Sequence, residues 1–389
     1  MYHCKPGGRF ACRGALELTV SQRDKRLASL RAWTLELLSH LKVRMTADVW
    51  LYLAVAVYFV IGVVLLIADG HAEMMSFGLY FNQWTYLFLF FMPLMAAIFD
   101  YAWILLRFDQ KRSLAARRAF SPQRLAHLFS GMALMMALMI FQGTFTSIKN
   151  LLPIIRGGFI YDQPLANLDA LLSFGPDPWR GLLSIAGHDA IVKIVDWNYS
   201  VLWFLVCFAT LFYVATSPRA ASIRVRYISM FMLVWVVCGN ILAGIFISAG
   251  PVFYGAVTGD GQRFAELLTV LNSPDSPTTA SMFQRYLWSL HEHGTSGLGS
   301  GISAFPSVHV GLIALNAFFA AEVSRRLGII AFCYTAFVIA SSVYLGWHYA
   351  IDGYASLLVV GLGHFTLKKL LDRESGSAAE APKDAVVTV

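Results

Sequence analysis

Eight apolar runs recur along the chain, each near the 20 residues that an α-helix needs to cross the hydrocarbon core of a bilayer. They fall at roughly 49–68, 84–106, 128–148, 198–216, 227–249, 305–323, 328–346 and 350–367. A bilayer interior offers no water to backbone amides, so such runs must close their hydrogen bonds internally, as helices. Composition agrees. Hydrophobic residues make up 57% and charged residues 14%, and the mean hydropathy is +0.60, whereas soluble domains average about 25% charged residues. The expected fold is therefore an all-α polytopic membrane protein with about eight transmembrane helices. Two of these runs matter most: 305–323 carries His309, and 350–367 carries Asp352 and His364.

The net charge of +7 does not form a nucleic-acid footprint, because its distribution follows membrane topology. Arg107, Lys111, Arg112, Arg117, Arg118 and Arg124 lie between the second and third runs, and Arg219, Arg224 and Arg226 before the fifth. Arg325 and Arg326 join the sixth to the seventh, and Lys368, Lys369 and Arg373 follow the last. Loop 70–83 has no Lys or Arg. Short cytoplasmic loops collect Lys and Arg, so both termini are expected in the cytoplasm. Cys207, Cys238 and Cys333 fall within runs and Cys4 and Cys12 in the amino-terminal tail, a distribution that implies no disulfide framework.

Three regions follow. Residues 1–47 form a basic cytoplasmic tail with no cleavable signal pattern. The spacing of Leu27, Leu30, Leu37, Leu38 and Leu41 among Arg23, Lys25, Arg26 and Arg31 fits a helix on the inner leaflet. A solvated tail whose charges fix orientation fits equally. Residues 48–372 form the transmembrane domain, and 373–389 read as a disordered tail. Segments 150–197 and 250–302, both on the outer side, are too long to be plain connections. Trp179 and Trp197 favour short interfacial helices in the first. The second runs from Gly250-Pro251 through a turn-rich 272–277 to a Gly-rich 294–301. A cap over a site is the expectation for the pair.

Two motifs carry chemistry. In Gly301-Ile302-Ser303-Ala304-Phe305-Pro306-Ser307-Val308-His309, Pro306 suits the first turn of a helix. The free N–H groups of that turn, with the Ser307 hydroxyl, favour an anion. In Ser341 to Asp352, His348 and Asp352 stand four apart, neighbours on one helical face. A carboxylate on one ring nitrogen fixes the tautomer and leaves the other free to attack or to take a proton. The topology puts both histidines at outer ends of spans. A lone histidine there is usually a polar tip at a wet boundary. Two histidines, an aspartate and a Pro-Ser helix start on one side are harder to dismiss. Two histidines and an aspartate also suit zinc with an open position, although the Pro-Ser turn favours an anion over a cation. Asp100, near the inner end of the second run, is read as pairing with Arg107, Arg325 or Arg326 rather than as a proton relay. Asn240 and Ser248 read as interhelical hydrogen-bonding residues. Ser248-Ala249-Gly250-Pro251 reads either as a wall of the site or as a simple helix stop.

The phrase Phe305-Pro306-Ser307-Val308-His309, followed about forty residues later by His348-Tyr349-Ala350-Ile351-Asp352, resembles the type 2 phosphatidate phosphatase superfamily. Within it, the chain is most similar to the branch containing inositol phosphorylceramide synthase and its bacterial relatives. The likeness is strong over about 301–365, weaker over 149–260, and absent from the amino-terminal third. It implies a six-helix core in which His348 is the nucleophile and forms a phosphohistidine, Asp352 orients it, and His309 protonates the leaving oxygen. It implies no cofactor and no metal. Two departures stand out: Ser341-Ser342 replaces the family's Ser-Arg, and Lys149, six residues and Arg156 are followed by Gly157 in place of proline. Lys149 and Arg156 are nevertheless candidate phosphate ligands, with Ser307 and Pro306, and with Arg285 and Arg263 behind them.

The resemblance implies transfer of a phosphoryl or phosphorylated headgroup between lipids, with a phospholipid donor and a lipid hydroxyl acceptor. Water as acceptor would make the protein a lipid phosphate phosphatase. A lipid transporter is the non-enzymatic alternative, and would string polar residues along several spans rather than gather them at one face. The expected location is the bacterial inner membrane, with the site on the extracytoplasmic face.

Overall fold

A computed structural model describes residues 9–107, 111–186, 188–272 and 278–379. The turn expected at 272–277 falls, apart from Asn272, outside the described residues, as do 380–389 of the expected tail. The described residues form helices and connecting turns, with no strand among them. In chain order the helices are α1 (Arg9–Ala47), α2 (Val49–Ala68), α3 (Phe81–Arg107), α4 (Arg112–Ala119), α5 (Pro122–Ile155), α6 (Asp162–Leu172) and α7 (Pro178–Ala186). There follow α8 (Asp189–Thr216), α9 (Arg224–Ile245), α10 (Tyr254–Thr258), α11 (Ala265–Leu271), α12 (Thr279–Glu292), α13 (Val308–Val323), α14 (Arg325–Tyr344) and α15 (Ala350–Ala379).

Seven helices are long and apolar enough to cross a membrane: α2, α3, α5, α8, α9, α14 and α15 over its first 21 residues. The chain is an integral membrane protein. The eighth expected span corresponds to α13, which at 16 residues is shorter than the other seven. Its start is set by Ser307, whose side chain accepts from Val310 N, the capping bond that satisfies an orphan first-turn donor. Pro306 therefore precedes the helix instead of occupying its first turn as the sequence reading expected; the cap at Ser307 takes that boundary.

Centrality follows apolar patterning. In α5, 56% of the most apolar window is buried, against 6% in α3, so α5 is the axis of the bundle and α3 a peripheral helix. Beside α5 pack α1, α2 and α8, and α13 packs with α14 and α15. Through the stretch read as interfacial, α1 is helical and leaves Leu27, Leu30 and Leu38 exposed.

The connections bring the carboxyl-terminal end of α5 beside the amino-terminal ends of α8, α13 and α15. The opposite end carries the ion pairs of Arg224, Glu322 and Asp100. Arg224 bonds Asp48 at 2.6 Å, with both side chains 3% exposed, and also reaches Ser130. Glu322 gathers Arg226, His364 and Lys368. Asp100 is paired there too, but with Arg124 rather than with Arg107, Arg325 or Arg326. Asn240 accepts from the Tyr58 hydroxyl across the α2–α9 contact, the interhelical role its position implied.

Candidate functional site

The sharpest local geometry lies in the turn between α14 and α15. His348 Nδ1 sits 3.1 Å from Asp352 Oδ2, and the same oxygen accepts from Tyr349 N at 3.0 Å. An N–H on Nδ1 donates to the carboxylate, which leaves Nε2 as the basic nitrogen. Asp352 has no solvent exposure and His348 has 7%. Burial holds the His348 imidazole well below the usual histidine range, with positive charge at His309 and Lys149 adding to the shift and the Ala304 backbone opposing it. The imidazole is neutral at neutral pH, the state a nucleophile needs.

The two motifs are stitched through their backbones. Ser307 N donates to the Asp352 carbonyl at 3.2 Å, and Ser356 Oγ lies 2.8 Å from both the Ser307 and Asp352 carbonyls. The first turn of α13 is thereby fixed on the first turn of α15, which places the His309 and His348 rings 6.5 Å apart between centroids. The sequence topology required the two histidines on one side, and they are. Tyr199 stacks on His309 at 4.9 Å and 13°, Trp203 lies 4.1 Å from the same ring, and Trp203 Nε1 donates to the His309 carbonyl. These aromatic walls from α8 fix the His309 side chain.

Lys149, in the last turns of α5, is half-buried, and its charge is felt at both histidines. The Gly-rich loop covers its stem. A Cβ on Gly301 would come within 2.8 Å of Lys149 Cγ, and Asn150 Nδ2 donates to Ser300 and Ser296 in the same loop. Among the described residues no carboxylate lies within ion-pair distance of Lys149. The other cationic candidates do not join it. Arg156 is exposed at the end of α5 and, among the described residues, reaches only the Ile245 carbonyl, at 3.5 Å. Arg285 is exposed on α12, whose inward Gln284 donates to the Leu345 carbonyl. Arg263 is committed to Asp177 at 2.7 Å, to Asn167 and to the Ala166 carbonyl. Ser307 is fully buried and its oxygen is used as the cap of α13. What remains for an anion at that helix end is the Val308 and His309 N–H pair, a ready site by geometry and dipole.

Two functional residues escaped sequence reading. Asp162, 1% exposed, accepts from Ala249 N at 2.7 Å, Gly250 N at 2.8 Å and the Tyr349 hydroxyl at 2.8 Å. Asp169, two turns further along α6, accepts from Ala350 N at 3.1 Å and Ile351 N at 2.9 Å, the first amides of α15. Burial raises both carboxyls, against the hydrogen bonds they receive. Together they clamp the His348 turn from outside the bundle. Their seven-residue spacing on a short helix with no Lys or Arg was the available signal. Ser248-Pro251 is a wall of the site: Ser248 accepts from Ala304 N and Phe305 N. Gly250, at φ +99°, lies so close to Trp347 that a Cβ would stand 2.6 Å from its carbonyl oxygen.

Among the described residues, no three His, Cys, Asp and Glu side chains gather closely enough to hold a metal ion. The arrangement offers instead a neutral, carboxylate-oriented imidazole, a second imidazole across a gap, one ammonium group and a helix amino terminus.

Compared with known proteins, the chain matches no curated protein and no solved structure. The profile of the PAP2 superfamily matches residues 163–366, which is 204 of the 389 residues and takes in His309, His348 and Asp352 but not Lys149. With more than half of its length matched, the chain belongs to the PAP2 superfamily.

Proposed function

We propose that the protein is a membrane lipid phosphotransferase that moves a phosphoryl or phosphorylated headgroup between lipids through a phosphohistidine. His348 Nε2 attacks phosphorus, forming an N–P bond while the P–O bond to the lipid alcohol breaks. The departing oxygen takes its proton from His309, as a positioned general acid provides. An acceptor hydroxyl then attacks phosphorus, its proton passes to His309, and the N–P bond breaks. Charge on the equatorial oxygens is met by Lys149 and the α13 amides. The reading rests above all on the 3.1 Å His348–Asp352 bond facing His309 across the gap. The site is proposed to open on the extracytoplasmic face, with α13 as the eighth span. Bacterial inner membrane fits the branch the sequence resembles.

The deciding experiment incubates purified protein with phospholipid labelled in its phosphate, with and without ceramide or diacylglycerol. A new labelled lipid that appears only with acceptor is expected. Free phosphate alone would assign water as the acceptor and make the protein a phosphatase.

A further inference from the structure

The helix that clamps the His348 turn has a second face. Asp162 and Asp169 are the only charged residues of α6, and both are buried. Its exposed positions are Gln163, Pro164, Asn167, Leu168, Leu171 and Leu172. Pro164, Leu168, Leu171 and Leu172 recur at the i, i+4, i+7, i+8 spacing of one stripe. Leu171 is 73% exposed and Leu172 51%. The stripe continues into Phe174, which is 98% exposed and is the one described non-glycine residue at positive φ, +61°. A bulky residue in that conformation is uncommon, and strain of this kind survives only where surrounding structure sustains it. Among the described residues, none covers the ring that this backbone presents.

Depth identifies what does. Asp169 bonds the first two amides of α15, whose first 21 residues form a span that matches the roughly 30 Å hydrocarbon core at 1.5 Å per residue. The start of α15 therefore marks the level where hydrocarbon gives way to headgroups, and α6 is held against that level. A charge-free apolar stripe at this depth is suited to acyl chains.

We propose that α6 is seated in the headgroup–acyl boundary of the leaflet at the site end, held by Leu168, Leu171, Leu172 and Phe174, and that this seating positions the His348 turn through Asp162 and Asp169. The two faces belong to one rigid helix. Movement of the lipid-facing side by more than a fraction of an ångström lengthens bonds of 2.7–3.1 Å on the other side. Asp162 and Asp169 are positioning residues, and the bilayer surface is a structural partner of the site. The seating stands on α6 alone; its consequence for turnover rests on the phosphotransferase reading.

The test uses the full chain in phosphatidylcholine–phosphatidylglycerol nanodiscs. With p-benzoylphenylalanine at position 174, irradiation should give a product heavier by one phospholipid. A covalent dimer of the chain would assign the face to a second copy, and absence of a lipid adduct would remove the seating; either result overturns the proposal. Coupling is read by hydrogen exchange in a Leu171→Asp/Phe174→Asp variant. The amides of 345–352 should exchange at least tenfold faster, while those of 308–323 stay within twofold. Unchanged exchange in 345–352 would overturn the coupling. Acceleration in both segments would mean lost packing, and the milder Phe174→Ser variant then decides by the same comparison. Neither readout needs turnover, so a protein inactive on every phosphoester would sink the functional reading while leaving this one standing or falling on its own.

Discussion

Replacing Asp162 with alanine removes the acceptor shared by α6, the Ala249–Gly250 turn and Tyr349, at bonds of 2.7, 2.8 and 2.8 Å. Each buried donor left without a partner costs about 1–3 kcal/mol. Relief of the buried carboxylate, whose pKa is raised by desolvation, returns part of that cost. The net loss is placed at about 3–5 kcal/mol, a large share of the roughly 5–15 kcal/mol that holds a typical protein folded. Asp162→Asn keeps one acceptor oxygen but turns an amide donor towards a backbone N–H, so about 2 kcal/mol is expected. Tyr349 follows His348 directly, so turnover should fall in both variants. The assay is denaturation by sodium dodecyl sulfate in mixed micelles, followed by tryptophan fluorescence, with turnover measured on the same samples. Glu266→Gln, which breaks the exposed pair with Arg180, serves as a control and should change stability by no more than about 1 kcal/mol. An Asp162→Ala protein that loses less than about 1 kcal/mol and keeps full turnover would refute the view that this junction holds the site.

Four further outcomes follow from the site. His348→Ala should abolish an acid-labile phosphoenzyme, and His309→Ala should abolish or severely slow it; a phosphoenzyme undiminished in His348→Ala would show the roles to be misassigned. Because the folded His348 pKa lies below its unfolded value near 6.5, the neutral ring contributes stability above that pH and loses it as pH falls towards the folded pKa. The acid limb of kcat/KM should likewise lie below about 6.5, and Lys149→Gln, by removing a neighbouring positive charge, should move that limb to higher pH; an unmoved limb would place Lys149 outside the site. Asp352→Asn should keep substrate affinity but lose about 10⁴ in turnover, as in the Ser-His-Asp triad, with full activity after chelation in the unmutated protein; loss on chelation restored by zinc would favour metal-assisted hydrolysis. A cysteine placed within 255–300 should react with an impermeant thiol reagent in intact cells and one within 108–123 should not; the reverse pattern would put the site on the cytoplasmic side.

The bundle was legible because a span needs only a long apolar run, and seven such runs are helices of spanning length. Their ends were less so. The sequence run 128–148 became α5 over Pro122–Ile155, since polar residues beyond the hydrocarbon stay helical once Ser121 and Pro122 start the helix. His309, His348 and Asp352 were legible because their chemistry resides in side-chain type and spacing. Asp162 and Asp169 were not, because they act on backbone amides 87 and 181 residues away, and a backbone amide leaves no mark on sequence. The Lys149/Arg156 pair shows the limit of spacing alone. Seven residues return to nearly the same face but rise about 10.5 Å along the axis, which carries Arg156 past the site to the helix end.

Charge accounting explains why the site stands where it does. Ionisable groups deep in a bilayer are costly, and those of this site sit near helix ends or, for His348, in the turn before α15, where orphan backbone groups must be satisfied in any case. Asp169 serves the amides of α15 and Ser307 serves α13, leaving the Val308 and His309 amides unused. Five arginines elsewhere in the protein are paired with carboxylates: Arg124 with Asp100, Arg180 with Glu266, Arg224 with Asp48, Arg226 with Glu322 and Arg263 with Asp177. Lys149 has no carboxylate within ion-pair distance among the described residues, although burying an ammonium without a counter-ion is expensive. Asp352 directs its Oδ2 to His348 and Tyr349 and makes no ion pair with Lys149. Under the proposed function that charge is required of the substrate, at a position bounded by Lys149, two imidazoles and a helix amino terminus. A phosphoester meets that requirement, since its equatorial oxygens can face the ammonium and the amides while its phosphorus faces His348 Nε2.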